Sequence, residues 1–307
     1  MKIVITGGSG FIGSHVVDAV MDLGHEVTIY DLDSPRYGQQ CRFVRGDTRD
    51  VERLSQTAKD AGIIYHIAAE ANVNRFFESP LYSNDITAQA TGCVLEASRR
   101  SGKPRVILAS TEWIYGSLAD EGNQQITEET RYAENPDHLY TASKISAELF
   151  CKTYHRLYEV PYTIMRFGIP FGERARPETV TPIFIRKLMS GDTITIHGDG
   201  SQTRQFIYVK DLAKGNAACS QDAAANGIFN INGTDQISVI QIVRTLEEIL
   251  NKKANITFVP DRAGNFKGRF ISSEKAERML GWKVQWKYRD AMAHYVEWFL
   301  AHEGKRS

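Results

Sequence analysis

Cysteine is scarce in this 307-residue chain: Cys41, Cys93, Cys151 and Cys219 stand far apart and form no C-x-x-C pair. That spacing argues against a disulfide scaffold and a thiolate metal centre, and favours the cytoplasm. Net charge is missing too, with 37 Lys and Arg against 37 Asp and Glu. Without a basic excess there is no general attraction to nucleic acid. No apolar run approaches the roughly 20 residues of a membrane span, so no membrane partner is expected. The eight histidines form no H-E-x-x-H or comparable cluster, and no metal is expected. The chain opens directly into Lys2-Ile3-Val4-Ile5-Thr6, with nothing resembling a secretory leader, which predicts a soluble, unexported protein.

What is present is an alternation. Short β-branched runs at 3–6, 26–30, 42–44, 63–66, 105–109 and 162–165 read as strands, and helical patterns cover 11–23, 51–61, 79–101 and 138–158. Parallel neighbours need long connections, so this order predicts an α/β fold with a Rossmann-type doubly wound parallel sheet. Beyond Arg166 the pattern loosens into a Gly, Pro and Arg-rich segment at 168–177 and a helix at 182–189. A strand at 205–209 is expected to return to the sheet, with a helix from Asp211. Helices at 238–250, 273–280 and 288–302 predict a smaller α/β lobe. The expected division is a nucleotide-binding domain of residues 1–167 plus a return segment at about 205–230, and a substrate lobe of 168–204 and 231–307.

Thr6-Gly7-Gly8-Ser9-Gly10-Phe11-Ile12-Gly13 lies at the first strand-to-helix turn, where backbone amides and a helix N-terminus can hold a pyrophosphate. The glycines serve the tight turn, the approach of phosphate and the close packing of helix on strand. Asp31 ends the second strand and is placed to bind both hydroxyls of an adenosine ribose. A carboxylate there repels a 2'-phosphate, so NAD is expected over NADP. Asp33 competes for this role. Asp47 and Thr48, after the third strand, are candidates for the adenine edge, and Gly46-Asp47 would equally make an ordinary turn.

Tyr140-Thr141-Ala142-Ser143-Lys144 puts a phenol and an ammonium on one helix face at i, i+4. A neighbouring ammonium and a nicotinamide cation favour phenolate, which makes Tyr140 a candidate base. Ser110 and Thr111 follow the strand at 105–109 at its C-terminal end, where open α/β sheets bind ligands, and a hydroxyl there could bridge substrate and Tyr140.

Together T-G-G-S-G-F-I-G, Asp31, G-D-T-R-D (46–50), H-I-A-A-E (66–70), S-T-E-W-I-Y-G (110–116), Y-T-A-S-K and G-D-G-S-Q-T-R-Q-F-I-Y-V-K-D (198–211) resemble the extended short-chain dehydrogenase/reductase family along nearly the whole chain. The likeness is to its nucleotide-sugar epimerases, dehydratases and decarboxylases, particularly the UDP-glucose and UDP-glucuronate 4-epimerases. The resemblance implies that Thr111, Tyr140 and Lys144 are catalytic, with Glu112 a further candidate. It implies NAD contacts at Gly7, Gly10, Phe11, Ile12, Gly13, Asp31, Asp47, Thr48, Ala68, Tyr140 and Lys144. It assigns Thr111, Arg176, Arg204 and Arg269 to the nucleotide sugar, Arg204 at the diphosphate, and a homodimer formed through the helices at 79–101 and 138–158.

Departures from the family pattern guide the choice of reaction. Dehydratases resemble Thr-Asp-Glu where this chain has Thr111-Glu112-Trp113, and decarboxylases carry an acid at the place of Trp113. Thr87 replaces an Asn near the nicotinamide, Asn72 replaces a His, and Ile169 replaces an Asn near the substrate phosphates. A 4-epimerase passing through a 4-keto sugar needs no second acid, and is the expected activity. A dehydratase or decarboxylase is the enzymatic alternative, and a non-catalytic NAD-sensing or RNA-binding module the alternative of another class. His66 and His155 are expected to be structural.

Overall fold

The computed structural model describes residues 1–120, 125–260 and 270–302. Seven parallel strands form the main sheet: β1 (Lys2–Thr6), β2 (Glu26–Asp31), β3 (Arg42–Arg45), β4 (Ile63–His66), β5 (Arg105–Thr111), β6 (Tyr162–Phe167) and a late strand, Gly227–Ile231. In space the order is late strand, β6, β5, β4, β1, β2, β3, so the direction of winding reverses between β1 and β4.

Side-chain alternation sorts the core. Ile3 and Ile5 of β1 pack with Val16, Val17 and Val20 of α1 (Phe11–Asp22), on the face shared with a later helix. Val4 points the other way, into a cluster with Leu54 of α2 (Val51–Ala58) and Val94 and Leu95 from the helical stretch before β5. Burial on both faces explains why these strands read as continuous apolar runs.

The helix expected at 79–101 is broken. The chain runs as α3 (Val73–Glu78), α4 (Pro80–Asn84), a π-helical turn (Asp85–Gln89) and α5 (Ala90–Arg100). Pro80 suits the first turn of α4, where its missing N–H is not needed. The π turn accommodates Thr87, whose Oγ1 accepts from Glu70 N at 3.2 Å; such turns are frequent at functional sites. The helix at 138–158 forms as α6 (Leu139–Tyr158), capped by His138.

The return to the sheet is also corrected. After β6, a single residue, Gly168, leads into β7 (Ile169–Phe171), inside the segment read as irregular. Then follow α7 (Val180–Ser190), β8 (Ile194–His197), β9 (Thr203–Tyr208) and α8 (Val209–Ala218). The strand expected to rejoin the main sheet is β9, yet it pairs with β7 and with β11 (Gln236–Ser238) in a separate three-stranded sheet. The late strand, β10 (Gly227–Ile231), fills the place beside β6, and α8 covers the α1 face. Gly168 has no room for a side chain, since a Cβ there would lie 2.3 Å from Asn232 Oδ1 and 2.9 Å from the Gln205 carbonyl.

The remaining elements are α9 (Val239–Leu250), β12 (Ile256–Val259), which pairs with β8, α10 (Glu274–Leu280) and α11 (Tyr288–His302). Around α7, α9, α11 and β8 a second core gathers Phe171, Phe184, Phe206, Tyr208, Leu246 and Tyr295, whereas Ala276 and Leu280 of α10 pack into the main-sheet core. No helix among the described residues is long and apolar enough to cross a membrane.

Candidate functional site

The glycine loop links β1 to α1. Gly7 has φ +73°, and a Cβ on it would lie 2.6 Å from the amide nitrogen of Ala68, so loop and β4 exit touch through backbone alone. At Gly13 the added carbon would fall 2.0 Å from the Gly7 carbonyl oxygen. Gly10 is the N-cap of α1 and has more room, with 3.3 Å to the same oxygen. Phe11 and Ile12 begin the helix and are half-buried. The result is a close-packed glycine turn running into a helix N-terminus, which suits a pyrophosphate.

Asp31 is tied to this loop. Its Oδ2 accepts from Ser9 N at 2.9 Å and its Oδ1 from Asp33 N at 3.2 Å. Asp33 pairs with Arg36 at the exposed surface, which leaves Asp31 as the carboxylate held at the loop. The Asp47 carboxylate accepts from Arg49, by the backbone N–H at 2.9 Å and by Nε at 3.0 Å, and this partner holds it below the usual carboxylate range. Arg49 also binds Asp85 of the π turn. Thr48 is half-buried beside them. The loop and Asp31 therefore fit an adenine dinucleotide lacking a 2'-phosphate.

At the C-terminal end of β5, alternation separates two neighbours. Ser110 faces α6 and donates to Glu148 Oε1 at 2.5 Å, so it is not the bridging hydroxyl. Thr111 takes that position: its hydroxyl accepts from Trp113 N at 3.3 Å and stands beside the Tyr140 phenol, whose ionised form it favours. Tyr140 sits in the first turn of α6, ringed by aromatics: Phe76 at 5.7 Å and Trp113 at 6.2 Å between ring centroids, both edge to face. Trp113 in turn lies against the His138 ring at 4.8 Å. Lys144, one turn along α6, is buried and donates from Nζ to the Ala109 carbonyl at 2.8 Å.

The electrostatics revise one expectation. In the protein alone burial pushes the Tyr140 phenol up to about 12, against the opposing pull of Thr111 and Arg176, rather than down towards neutral pH. Burial also draws the Lys144 ammonium down to about 8, with Glu148 opposing. His66 is buried and neutral, drawn down to about 3, and bridges Thr6 and Thr91.

Glu112 follows Thr111 and is almost fully buried. Its Oε2 has no hydrogen-bond partner, and desolvation raises the carboxyl from 4.5 to about 8 despite the nearby Arg204 charge. Between these values the folded chain keeps a proton that the unfolded chain has lost, so this group makes stability fall as pH rises through the window. Glu112→Gln should flatten that decline in thermal unfolding measured from pH 5 to 8; an unchanged slope would contradict it.

Arg204 lies on β9 and donates to the Thr203 carbonyl at 2.7 Å, and Arg176 reaches the Ala71 carbonyl at 3.4 Å while its charge acts on Tyr140. Both cations thus stand near the Thr111 and Tyr140 end of the sheet. Arg269 lies outside the described residues. Sequence reasoning missed the pairing of Ser110 with Glu148 and of Glu148 with Arg166, whose partners lie on three separate elements.

Known proteins resemble this chain along nearly its whole length. Residues 3–232 match the model of the NAD dependent epimerase/dehydratase family. The low-salt glycan biosynthesis protein Agl12 of Haloferax volcanii is 30% identical, over 99% of this chain and all of its own length. The dTDP-glucose 4,6-dehydratase 1 of Escherichia coli K12 is 31% identical, over 98% of this chain and 93% of its own. Among solved structures, the UDP-glucuronic acid 4-epimerase of Bacillus cereus, in complex with UDP-glucuronic acid and NAD, superposes with a TM-score of 0.89 at 26% identity, covering 98% of this chain and 99% of that one.

Proposed function

The chain belongs to the NAD-dependent epimerase/dehydratase family, and from that premise we propose that it is a nucleotide-sugar 4-epimerase acting on a UDP-hexose or UDP-hexuronate. The observation that carries this reading is Trp113. Where an eliminating or decarboxylating relative would need an acid, the chain has an indole packed edge-on to Tyr140. General acid-base elimination lacks one of its two partners there. An aromatic wall makes no directional demand on a sugar, and so tolerates a 4-keto ring presented by either face.

NAD, when bound, supplies the hydride acceptor and donor, and its cationic ring favours the phenolate of Tyr140. Tyr140 takes the proton of the C4 hydroxyl, with Thr111 holding phenol and hydroxyl in line. Lys144 keeps a positive charge on the same helix face. After the sugar turns over, Tyr140 returns the proton to the C4 oxygen. Arg204 binds the diphosphate by paired N–H donors, and Arg176 is assigned to the carboxylate of a hexuronate. The sugar-nucleotide lobe is assigned to 168–204 and 231–307, and the NAD-binding lobe to 1–167 with the return through α8 and β10.

The test is incubation of the NAD-loaded protein with UDP-, dTDP-, GDP- and CDP-sugars, uronates included, followed by proton NMR. Inversion at C4 with the C5 and C6 groups retained is expected. Loss of water or CO2 would overturn the epimerase reading in favour of the second one, a dehydratase or decarboxylase. One observation favours that second reading: Glu112, a buried carboxylic acid that desolvation raises to about 8, stands directly after Thr111.

We also infer a cytoplasmic homodimer. Leu81 and Tyr82 of α4 and Leu149, Phe150, Leu157 and Tyr158 of α6 are large apolar side chains left exposed on the helices named for pairing. Light scattering should give twice the 34.5 kDa chain mass. Leu149→Arg combined with Leu157→Arg should give the monomer, and a wild-type monomer would refute the pairing.

A further inference from the structure

Behind the catalytic pair lies a polar cluster closed to solvent. Arg166 of β6 and Glu148 of α6 are 2% and 0% exposed and meet at two points, Nη2 to Oε2 at 2.8 Å and Nε to Oε1 at 3.1 Å. Glu148 also accepts from Ser110 Oγ at 2.5 Å and from the Tyr132 hydroxyl at 2.9 Å. Arg166 Nη1 donates to the Tyr115 hydroxyl at 2.8 Å and to the Glu128 carbonyl at 3.1 Å, and Tyr115 donates to Asn230 Oδ1 of β10 at 2.7 Å. A buried ion pair rarely outperforms apolar side chains of the same volume as a source of stability. Its placement gives it another task.

We propose that Glu148 is a positioning residue for the catalytic pair, fixing the end of β5 through Ser110 and setting a negative charge one helical turn beyond Lys144. The inference rests on the roles assigned above to Thr111, Tyr140 and Lys144. Ser110 is covalently joined to Thr111, so a bond that holds the Ser110 hydroxyl against α6 also fixes where the Thr111 hydroxyl meets Tyr140. Lys144 has an uncharged acceptor, the Ala109 carbonyl, and its ammonium is favoured by the Glu148 charge. The other titratable groups around these two are His66 on β4, Tyr132 ahead of α6, Tyr140, Cys151 and Lys152 on α6, and Tyr162 and Arg166 on β6. Tyr115, Glu128 and Glu129 lie on the Arg166 side and Glu112 lies beside Thr111, but Glu148 is the carboxylate whose charge acts on Lys144.

Removing the pair as a unit, with Glu148→Gln and Arg166→Met together, deletes the carboxylate without stranding a guanidinium. In the NAD-loaded enzyme the alkaline limb of the kcat profile should move down by about half a pH unit, the lost guanidinium offsetting part of the effect of the lost carboxylate on Lys144, while KM for the sugar nucleotide stays within about threefold. A role in stability alone would lower the melting temperature and leave the limb in place. Ser110→Ala, which removes one hydrogen bond and no charge, should cut kcat about tenfold with the limb unmoved, and it keeps the proposal testable should the double variant fail to fold. A folded double variant with its limb within about 0.3 units of wild type, or Ser110→Ala with wild-type kcat, would overturn the proposal. Both results are read beside Tyr140→Phe. An inactive Tyr140→Phe upholds the catalytic reading while Glu148 is judged alone, whereas an active one brings down that reading and the proposal with it.

Discussion

Tyr140→Phe should lower kcat on the true sugar nucleotide by about 100- to 10,000-fold, the usual contribution of a positioned acid-base group. The substitution removes one oxygen and leaves the ring, so the edge-to-face contacts with Phe76 and Trp113 survive. Stability and NAD affinity should therefore stay near wild type, and calorimetric titration with NAD checks this in the same sample. The loss should appear in kcat more than in KM, because the phenol acts as charge moves at C4 rather than in holding the diphosphate. A variant that binds NAD and turns over normally would remove Tyr140 from the mechanism. In the protein alone the phenol lies near 12, so binding of the cation is expected to do much of the work of ionising it. That coupling would appear as a tyrosinate absorbance change at alkaline pH on adding NAD, absent from Tyr140→Phe.

Gly13→Ala should be the most damaging single methyl in the cofactor site. Its added carbon would fall 2.0 Å from the Gly7 carbonyl oxygen and 2.9 Å from the Gly8 Cα, all backbone, so no rotamer can relieve the clash. The expected cost is at or above the top of the about 1–3 kcal/mol range for overpacking. Separation of α1 from the loop should also weaken NAD binding by more than about tenfold, since amides and helix terminus would no longer converge. Gly10→Ala is the internal control. It meets the same oxygen at 3.3 Å and should cost less than about 1 kcal/mol. Unfolding curves of the two variants decide the matter, and equal stability would contradict the packing account.

The legible parts of the sequence were those whose cause is local. The glycine loop, Asp31 and the Tyr140 to Lys144 spacing each sit within one strand-turn-helix or one helical turn, and their geometry follows from a few consecutive residues. The strand Gly227–Ile231 illustrates the opposite case. Nothing in its five residues says that it, rather than Thr203–Tyr208, lies beside β6, because the choice is made by partners more than 60 residues away in sequence. The π turn was hidden for a similar reason: residues 79–101 read as continuous helix, and the bond that Thr87 accepts within that turn comes from Glu70, outside the stretch. By position at the strand end alone Ser110 and Thr111 look equivalent, and it is the family resemblance that singles out Thr111. Only the alternation of β5, set against Glu148 on a helix 38 residues onward, sends one hydroxyl into the core and the other to Tyr140.

The single residue between β6 and β7 carries one more consequence. Gly168 joins the sheet that holds Thr111 to the sheet whose middle strand bears Arg204, and its amide is anchored on the Ile231 carbonyl at 3.3 Å. A joint one residue long and hemmed by Asn232 and Gln205 has no slack. The span from Thr111 to Arg204 is accordingly set like the gap of a fixed caliper, by covalent length and strand register rather than by loops that could stretch to suit the guest.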